Sequence, residues 1–263
     1  MSTISELLLF IISVFPVAII GSYIYKKDNN KESSKLLLKL FIGGFSACLL
    51  VMIISLLLNL LIPGFSIDES KSNLVKLFFK VFFGIAFVEE FSKWIMVYKL
   101  SYNDGEFDEL YDAIIYCTFV ALGFACFENL FYVYQNGIGT GIARAFLAVP
   151  GHACDGIFMG YYLGLSKIND LNGENNRKNK YLILSILVPS IFHGIYDYCL
   201  LTDNLLFVIV FLIFVICLFV YGIKKIKMVS SINRKMKYKD NFCPNCGRAI
   251  DSNFCPGCGR KND

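Results

Sequence analysis

Six ionisable residues lie in stretches of the sequence that are otherwise apolar enough to span a membrane. An ionised side chain at the centre of a bilayer costs roughly 3 kcal/mol or more, so such groups are expected to face a protein interior or a water-filled cavity. Carboxylates and imidazoles also activate water and transfer protons. The six therefore predict a buried polar site, and both histidines of the chain belong to it. They are Glu89, Glu90, Glu128, His152, His193 and Asp197.

Helical spacing predicts how some of these groups pair. Glu89 and Lys93 are four residues apart, so they share one face of a helix and can form an ion pair. His193 and Asp197 have the same spacing, which lets the carboxylate orient the imidazole. Each group also has a purely structural interpretation, as a buried ion pair or a hydrogen-bonded tether. That interpretation weakens for the whole set, because every buried polar group would need its own partner.

Two further pairs depend on shorter spacings. His152 and Asp155 are three residues apart, a spacing that also allows a carboxylate to orient an imidazole. Glu90 is rotated by about 100° from its neighbour Glu89 in an α-helix, so the two acids are expected to point in different directions.

The elements that must position these residues are membrane-spanning helices. The sequence is 56% hydrophobic and 17% charged, with a mean hydropathy of +0.57. This composition is typical of an all-α polytopic membrane protein. Seven runs of about 20 residues are long enough to cross the hydrocarbon core. They are Leu7–Tyr25, Leu36–Leu61, Leu74–Tyr98, Tyr111–Tyr134, Ile142–Leu165, Tyr181–Leu201 and Leu205–Ile223.

The loops between these runs predict the orientation of the chain. The first loop, the fifth loop and the tail after the last span are rich in lysine and arginine, whereas the fourth and sixth loops have none. Basic loops stay in the cytoplasm, so we expect the N-terminus outside and the C-terminus inside the cell membrane. The net charge of +4 thus reports topology, and no nucleic-acid partner is expected. With these boundaries Glu89 falls on the cytoplasmic side of its helix midpoint, while Glu128, His152 and His193 fall on the outer side.

The C-terminal tail carries a separate metal-binding pattern. Two CxxC pairs, eight residues apart, suit a tetrahedral zinc ion with four thiolate ligands. The predicted cytoplasmic location argues against a pair of disulfides. The sequence therefore predicts a transmembrane domain at 1–223, a basic juxtamembrane linker at 224–240 and a structural zinc ribbon at 241–263. The predicted zinc ligands are Cys243, Cys246, Cys255 and Cys258.

Four short motifs, in this order and spacing, resemble the PrsW family of intramembrane proteases, relatives of the CAAX prenyl endopeptidases. They are Glu89–Lys93 (EEFSK), Phe124–Asn129 (FACFEN), Pro150–Ala153 (PGHA) and His193–Asp197 (HGIYD). The resemblance covers about residues 80–200. It implies an intramembrane endopeptidase that makes the site-1 cut in a membrane-anchored anti-sigma factor. In the prenyl proteases the second motif carries a histidine and the fourth ends in asparagine, whereas Glu128 and Asp197 stand there in this chain.

The residue types fit peptide hydrolysis by an activated water. Such a reaction needs a base for the water and a donor for the tetrahedral oxyanion. We expect Glu89 to be the base, Glu128 and His193 to hold the water, and Asp197 to orient His193. A single-pass membrane protein is the expected substrate.

The remaining residues are expected to support this reaction. Glu90 and Lys93 would compensate the buried charge of Glu89, and His152 would contact the oxyanion or the water. A metal-assisted variant stays open, because His152, His193 and a carboxylate make a plausible zinc ligand set. The HExxH motif of soluble zinc proteases is absent from the sequence.

Two other classes of function also stay open at this point. A proton- or ion-coupled transporter would place acids and histidines inside the membrane too, although the two halves of the sequence show no internal repeat. A membrane scaffold without catalytic activity could present the zinc ribbon to a cytoplasmic partner.

Overall fold

The computed structural model describes residues 3–62, 73–202, 204–231, 243, 245–246 and 254–261. In that part of the chain the predicted all-α membrane fold is confirmed, and five helices are long and apolar enough to cross a membrane. The helices are α1 (Thr3–Lys27), α2 (Ser34–Leu61), α3 (Leu74–Phe79), a π-helical segment (Lys80–Ala86), α4 (Phe87–Ser101), α5 (Leu110–Asn136), α6 (Ile138–Phe146), α7 (Ala148–Leu171), α8 (Asn175–Leu201) and α9 (Leu205–Ser230).

The third predicted span is helical but is not a uniform α-helix. It begins at the Asn73 cap, whose side chain accepts hydrogen bonds from the backbone of Val75 and Lys76. It then runs through α3, the π-helical segment and α4. The wider π turn changes the angular position of every side chain that follows it, and such turns are frequent at functional sites. Glu89 and Glu90 lie in the first turn of α4, directly after this change.

The fifth predicted span, expected as one helix from Ile142 to Leu165, is divided in the structure. A short helix, α6, ends at Phe146, and α7 begins at Ala148. Pro150 lies in the first turn of α7, where the missing backbone N–H removes no helical hydrogen bond. The Pro-Gly-His sequence therefore starts a helix, and it places His152 close to the beginning of α7.

Helix α5 is buried over most of its length and packs between α2 and α7 through glycines. A Cβ atom on Gly44 of α2 would lie 2.2 Å from the carbonyl oxygen of Val120, and one on Gly160 of α7 would lie 2.4 Å from that of Ala113. Small residues allow such close backbone approach between helices in lipid. These contacts fix α5, which carries Glu128, against α7, which carries His152.

The outer helices expose the apolar surface that a bilayer requires. Large apolar side chains on α1, α2 and α9 point away from the protein, among them Phe15, Leu57 and Ile213. Helix α9 continues to Ser230, beyond the predicted end of the last span at Ile223, so the first part of the predicted linker is helical. Residues 232–240 of that linker lie outside the described residues.

Candidate active site

The structure brings together all seven residues predicted for the site. Helix α4 supplies Glu89, Glu90 and Lys93, α5 supplies Glu128, α7 supplies His152, and α8 supplies His193 and Asp197. An unbroken series of contacts of 3.4 Å or less runs from Glu128 through His152, Lys93, Glu90 and His193 to Asp197. The difference in depth expected from the sequence between Glu89 and the other groups is therefore absent.

Lys93 is the centre of this network. Its ammonium lies 2.7 Å from Glu90 Oε1, 3.5 Å from Glu89 Oε2 and 3.1 Å from His152 Nδ1. Its side chain is fully buried, and Nζ lies 4.1 Å from the centre of the Phe124 ring. The predicted Glu89–Lys93 pair is present, but Glu90 is the closer partner. Both acids reach the same ammonium, although their positions on the helix had predicted divergent directions.

His193 is surrounded by carboxylates. Its Nδ1 atom lies 2.8 Å from Glu90 Oε1, and its Nε2 atom lies 3.4 Å from Asp197 Oδ2 and 3.8 Å from Glu89 Oε2. The predicted proximity of Asp197 to the imidazole is observed. The closest carboxylate is nevertheless that of Glu90 on the neighbouring helix, so two acids hold the ring from opposite edges.

His152 does not pair with Asp155, although their spacing allows it. Its Nε2 atom lies 2.9 Å from Glu128 Oε2, while Asp155 lies 3.9 Å from Nδ1 of His193. Because an ammonium donates and has no lone pair, the contact with Lys93 makes Nδ1 of His152 the acceptor and places the ring proton on Nε2. An oxyanion contact from His152 would require one of these two hydrogen bonds to break.

A cavity of about 340 Å³ opens beside the network. Glu89 lines it, whereas the side chains of Glu90 and Lys93 are fully buried behind its wall. Among the described residues, Oε2 of Glu89 has no hydrogen-bond partner. The other polar groups that line the cavity are Glu128, Tyr132, Arg144, His152, Asp155, His193, Tyr196 and Asp197.

Arg144 is the functional candidate that the sequence analysis missed. Its guanidinium lies 2.7 Å from Glu128 Oε2 and 2.6 Å from Asn129 Oδ1. A signal was present, because Arg144 is the only lysine or arginine between Ile142 and Leu165. The same argument that identified the acids applies to a guanidinium inside a predicted membrane span.

The donor set also fits a metal ion. One ligand atom from each of Glu89, Glu90, His152 and His193 lies within 4.8 Å of the others. Imidazole nitrogens and carboxylate oxygens are the ligands of catalytic zinc sites. The Lys93 ammonium contacts three of these four residues, so a metal and Lys93 would share the same donors.

A second set of metal-binding groups lies in the ribbon. The sulfur atoms of the four predicted cysteine ligands lie within 4.8 Å of one another. The Cys243–Cys258 and Cys246–Cys255 sulfur pairs are each 3.4 Å apart. Tetrahedral zinc with a Zn–S bond of about 2.3 Å separates its sulfurs by about 3.8 Å. The cluster is therefore compatible with a structural zinc site.

The ribbon contacts the membrane domain through its first CxxC pair. The Tyr161 hydroxyl donates to the backbone oxygen of Cys246 at 3.2 Å, and the Tyr181 hydroxyl donates to that of Asn245 at 3.1 Å. Lys225 Nζ lies 3.7 Å from the centre of the Tyr161 ring. Helices α7 and α8 thus contact the ribbon directly, and α9 supports the tyrosine of α7.

Comparison with known proteins identifies the family. The profile of the PrsW family intramembrane metalloproteases matches residues 32–222. The chain belongs to the PrsW family. A protein from Oceanobacillus iheyensis named Protease PrsW is 38% identical over 187 residues, which cover 71% of this chain and 80% of that protein. The Protease PrsW of Clostridioides difficile is 31% identical over 234 residues, which cover 87% and 94% of the two chains.

The Protease PrsW of Bacillus subtilis is 33% identical over 215 residues, covering 81% of this chain and 91% of that protein. No solved structure matches. The chain is thus a multi-pass membrane protein and an intramembrane protease, and a protease of this family acts on a membrane-protein substrate in the lipid bilayer. Family membership favours this function over the transporter and the scaffold.

Proposed function

We propose that this protein hydrolyses a peptide bond of a single-pass membrane protein with a water molecule activated by Glu89. The observation that carries the proposal is that the ionisable residues of α4 differ in their access to the cavity. Glu89 lines the cavity and its side chain is 11% exposed there, so its carboxylate can meet a water molecule and accept a proton. Glu90 and Lys93 are sealed behind it and cannot reach a substrate.

The surrounding residues take supporting roles in this proposal. Glu128 and His193 line the cavity on either side of Glu89, where they can hold the attacking water. Glu90 and Asp197 fix the His193 ring at opposite edges, which sets its orientation. Lys93 compensates the negative charge of the neighbouring acids. The uncharged His152 ring lies between Lys93 and Glu128 and links α4 to α5 through these two contacts.

Glu89, Glu90, His152 and His193 are the residues that would hold a catalytic metal. Such an ion would acidify a bound water and polarise the scissile carbonyl. In the metal-free form of the reaction, Glu89 accepts the proton of the attacking water.

The proposed cut lies near the outer face of the membrane. Glu128 precedes the last residue of α5, Asn136, by eight residues, or about 12 Å of helix rise. His193 precedes the last residue of α8, Leu201, by the same number. With the N-terminus outside and the C-terminus cytoplasmic, as the basic loops indicate, both ends face outward. A substrate must also unwind to be cut, which is easier near the interface than at the midplane.

The proposed substrate class is an anti-sigma factor anchored by one transmembrane helix. The support is the resemblance of the four motifs to a family of site-1 proteases, together with the outward position of the cavity. We further propose that the 241–263 ribbon binds one structural zinc ion. With four thiolate ligands the ion would have no open position, so the ribbon is a docking or regulatory module.

Co-expression with candidate single-pass membrane proteins tests the proposal. The wild-type protein should produce a fragment that Glu89→Gln does not, because an amide cannot take the proton from water. Glu174→Gln is the matched control, since Glu174 pairs with Arg177 on an exposed surface away from the cavity. Full cleavage by the Glu89→Gln protein would remove Glu89 as the base. A new terminus in the cytoplasmic juxtamembrane region of the substrate would invert the proposed topology or the position of the site.

A further inference from the structure

Arg144 lies in the short helix α6, which the sequence had merged with α7. Its Nη2 atom lies 2.7 Å from Glu128 Oε2, and its Nε atom donates to Asn129 Oδ1 at 2.6 Å. The guanidinium carbon lies 4.5 Å from the centre of the Tyr132 ring. One side chain from α6 therefore contacts three residues in the last turns of α5.

This arrangement acts on a single oxygen atom of the active site. Oε2 of Glu128 accepts from Arg144 and also lies 2.9 Å from His152 Nε2. Two donors on Oε2 fix the plane of the carboxylate. The contacts with Arg144 and His152 both use Oε2, and Glu128 lines the cavity, so Oε1 is the oxygen left for water.

The charges that line the cavity give a second reason for a cation at this point. Four carboxylates line it, and Arg144 is the one permanently charged cation among the described residues that line it. The second cation of the site, Lys93, is fully buried behind the cavity wall and forms its shortest ion pair with Glu90. Without Arg144, the one cation left near Glu128 among the described residues would be Lys93, which lies on the far side of the His152 ring. The remaining acids that line the cavity are Glu89, Asp155 and Asp197.

We propose that Arg144 is a positioning residue for the hydrolysis, holding the Glu128 carboxylate in the orientation that presents one of its oxygens to the attacking water. The inference rests on the proposed function. The geometry requires arginine, because a guanidinium reaches two adjacent acceptors with separate nitrogens while lysine has a single nitrogen.

The experiment compares the full-length protein, purified in detergent, with Arg144→Ala, Arg144→Lys and Arg177→Ala. Arg177 is the matched control, because it forms a 2.6 Å ion pair with Glu174 on an exposed surface. With a cleavable single-pass substrate, Arg144→Ala should lower kcat about 10- to 100-fold, as expected when the partner of an active-site ligand is lost. KM should stay within a factor of about two, since the effect is on the reacting water and not on substrate binding. Arg144→Lys should lie between wild type and Arg144→Ala.

Two further measurements separate positioning from a general loss of structure. Guanidinium ions at low millimolar concentration should restore part of the kcat of Arg144→Ala and none of that of Glu128→Gln. In the Glu128→Gln background, Arg144→Ala should cause no additional loss, because its effect passes through Glu128. If Arg144→Ala does not fold, the kcat of Arg144→Lys is the test: a value below that of the wild type supports the positioning role, and an unchanged value contradicts it.

An unchanged kcat in both Arg144 variants would overturn the inference. So would an increase in KM at constant kcat, which would make Arg144 a substrate-binding group. If the wild-type protein cleaves no candidate substrate, the result counts against the proposed function itself. If the wild-type protein and both Arg144 variants cleave with the same kcat, the result counts only against the role of Arg144.

Discussion

Replacing Lys93 by methionine should destabilise the protein far more than an ordinary ion-pair deletion. At 2.7 Å and an effective dielectric constant of about 20, the attraction between Lys93 and Glu90 is about 6 kcal/mol before desolvation is counted. Part of this is offset when the site relaxes. Removing one partner of a buried pair costs about 3–5 kcal/mol, because the other charge is left without compensation. We expect a loss in that range for Lys93→Met.

The assay is the free energy of unfolding in mixed micelles, compared with that of Lys178→Met. Lys178 forms an ion pair of nearly the same length, 2.8 Å, with Asp170, but both side chains are partly exposed. Its removal should cost about 0–1 kcal/mol. Adding Glu90→Gln to Lys93→Met should recover most of the loss, because it removes the uncompensated charge. If Lys93→Met costs no more than Lys178→Met, the central role assigned to the ammonium is wrong.

Three other outcomes are expected. Replacing His193 by alanine should reduce cleavage at least as much as replacing Asp197, which acts through the ring, and a clearly worse Asp197 variant would reverse that order. The full-length protein should bind one zinc ion in its ribbon, and Cys255→Ser should abolish this while peptide cleavage persists; a zinc content of zero in a reduced wild-type sample would refute the site. Burial raises the pKa of Glu32, between α1 and α2, to about 7 from 4.5, so the folded state holds this proton more tightly than the unfolded state. The contribution of protonated Glu32 to the free energy of unfolding is therefore complete below about pH 4.5 and is lost as the pH rises through 7. Glu32→Gln should reduce the fall in unfolding free energy between pH 5 and 8 by about 1–3 kcal/mol, and an unchanged slope would show that this carboxyl is not the cause.

The grouping of the intramembrane ionisable residues into one candidate site could be predicted from the sequence because charge is rare in lipid. Against an apolar background, Glu89, Glu128 and His193 stand out individually, and the ribbon's two CxxC pairs define a ligand set by local spacing alone. The approximate length of a membrane span follows from the thickness of the bilayer in the same way. These properties depend on residue type and on neighbours within a few positions, which are visible in a linear sequence.

The partners of those residues were decided only by the tertiary structure. Spacing within one helix allows His152 to pair with Asp155 and His193 with Asp197. Across helices, however, His152 contacts Glu128 and Lys93, and Glu90 is the nearest acid to His193. Which acid reaches an imidazole depends on the distance and rotation between helices.

Two features of the helices set those distances and rotations. The close glycine contacts of α5 with α2 and α7 fix the separation of the backbones. The π-helical turn before α4 and the break at Leu147 set the rotation of the groups that follow. Such features cannot be predicted from the hydrophobic pattern, because they change the direction in which the following side chains point without changing the amino-acid composition. For the same reason Arg144 was read as part of a continuous span, and only the fold shows it holding Glu128.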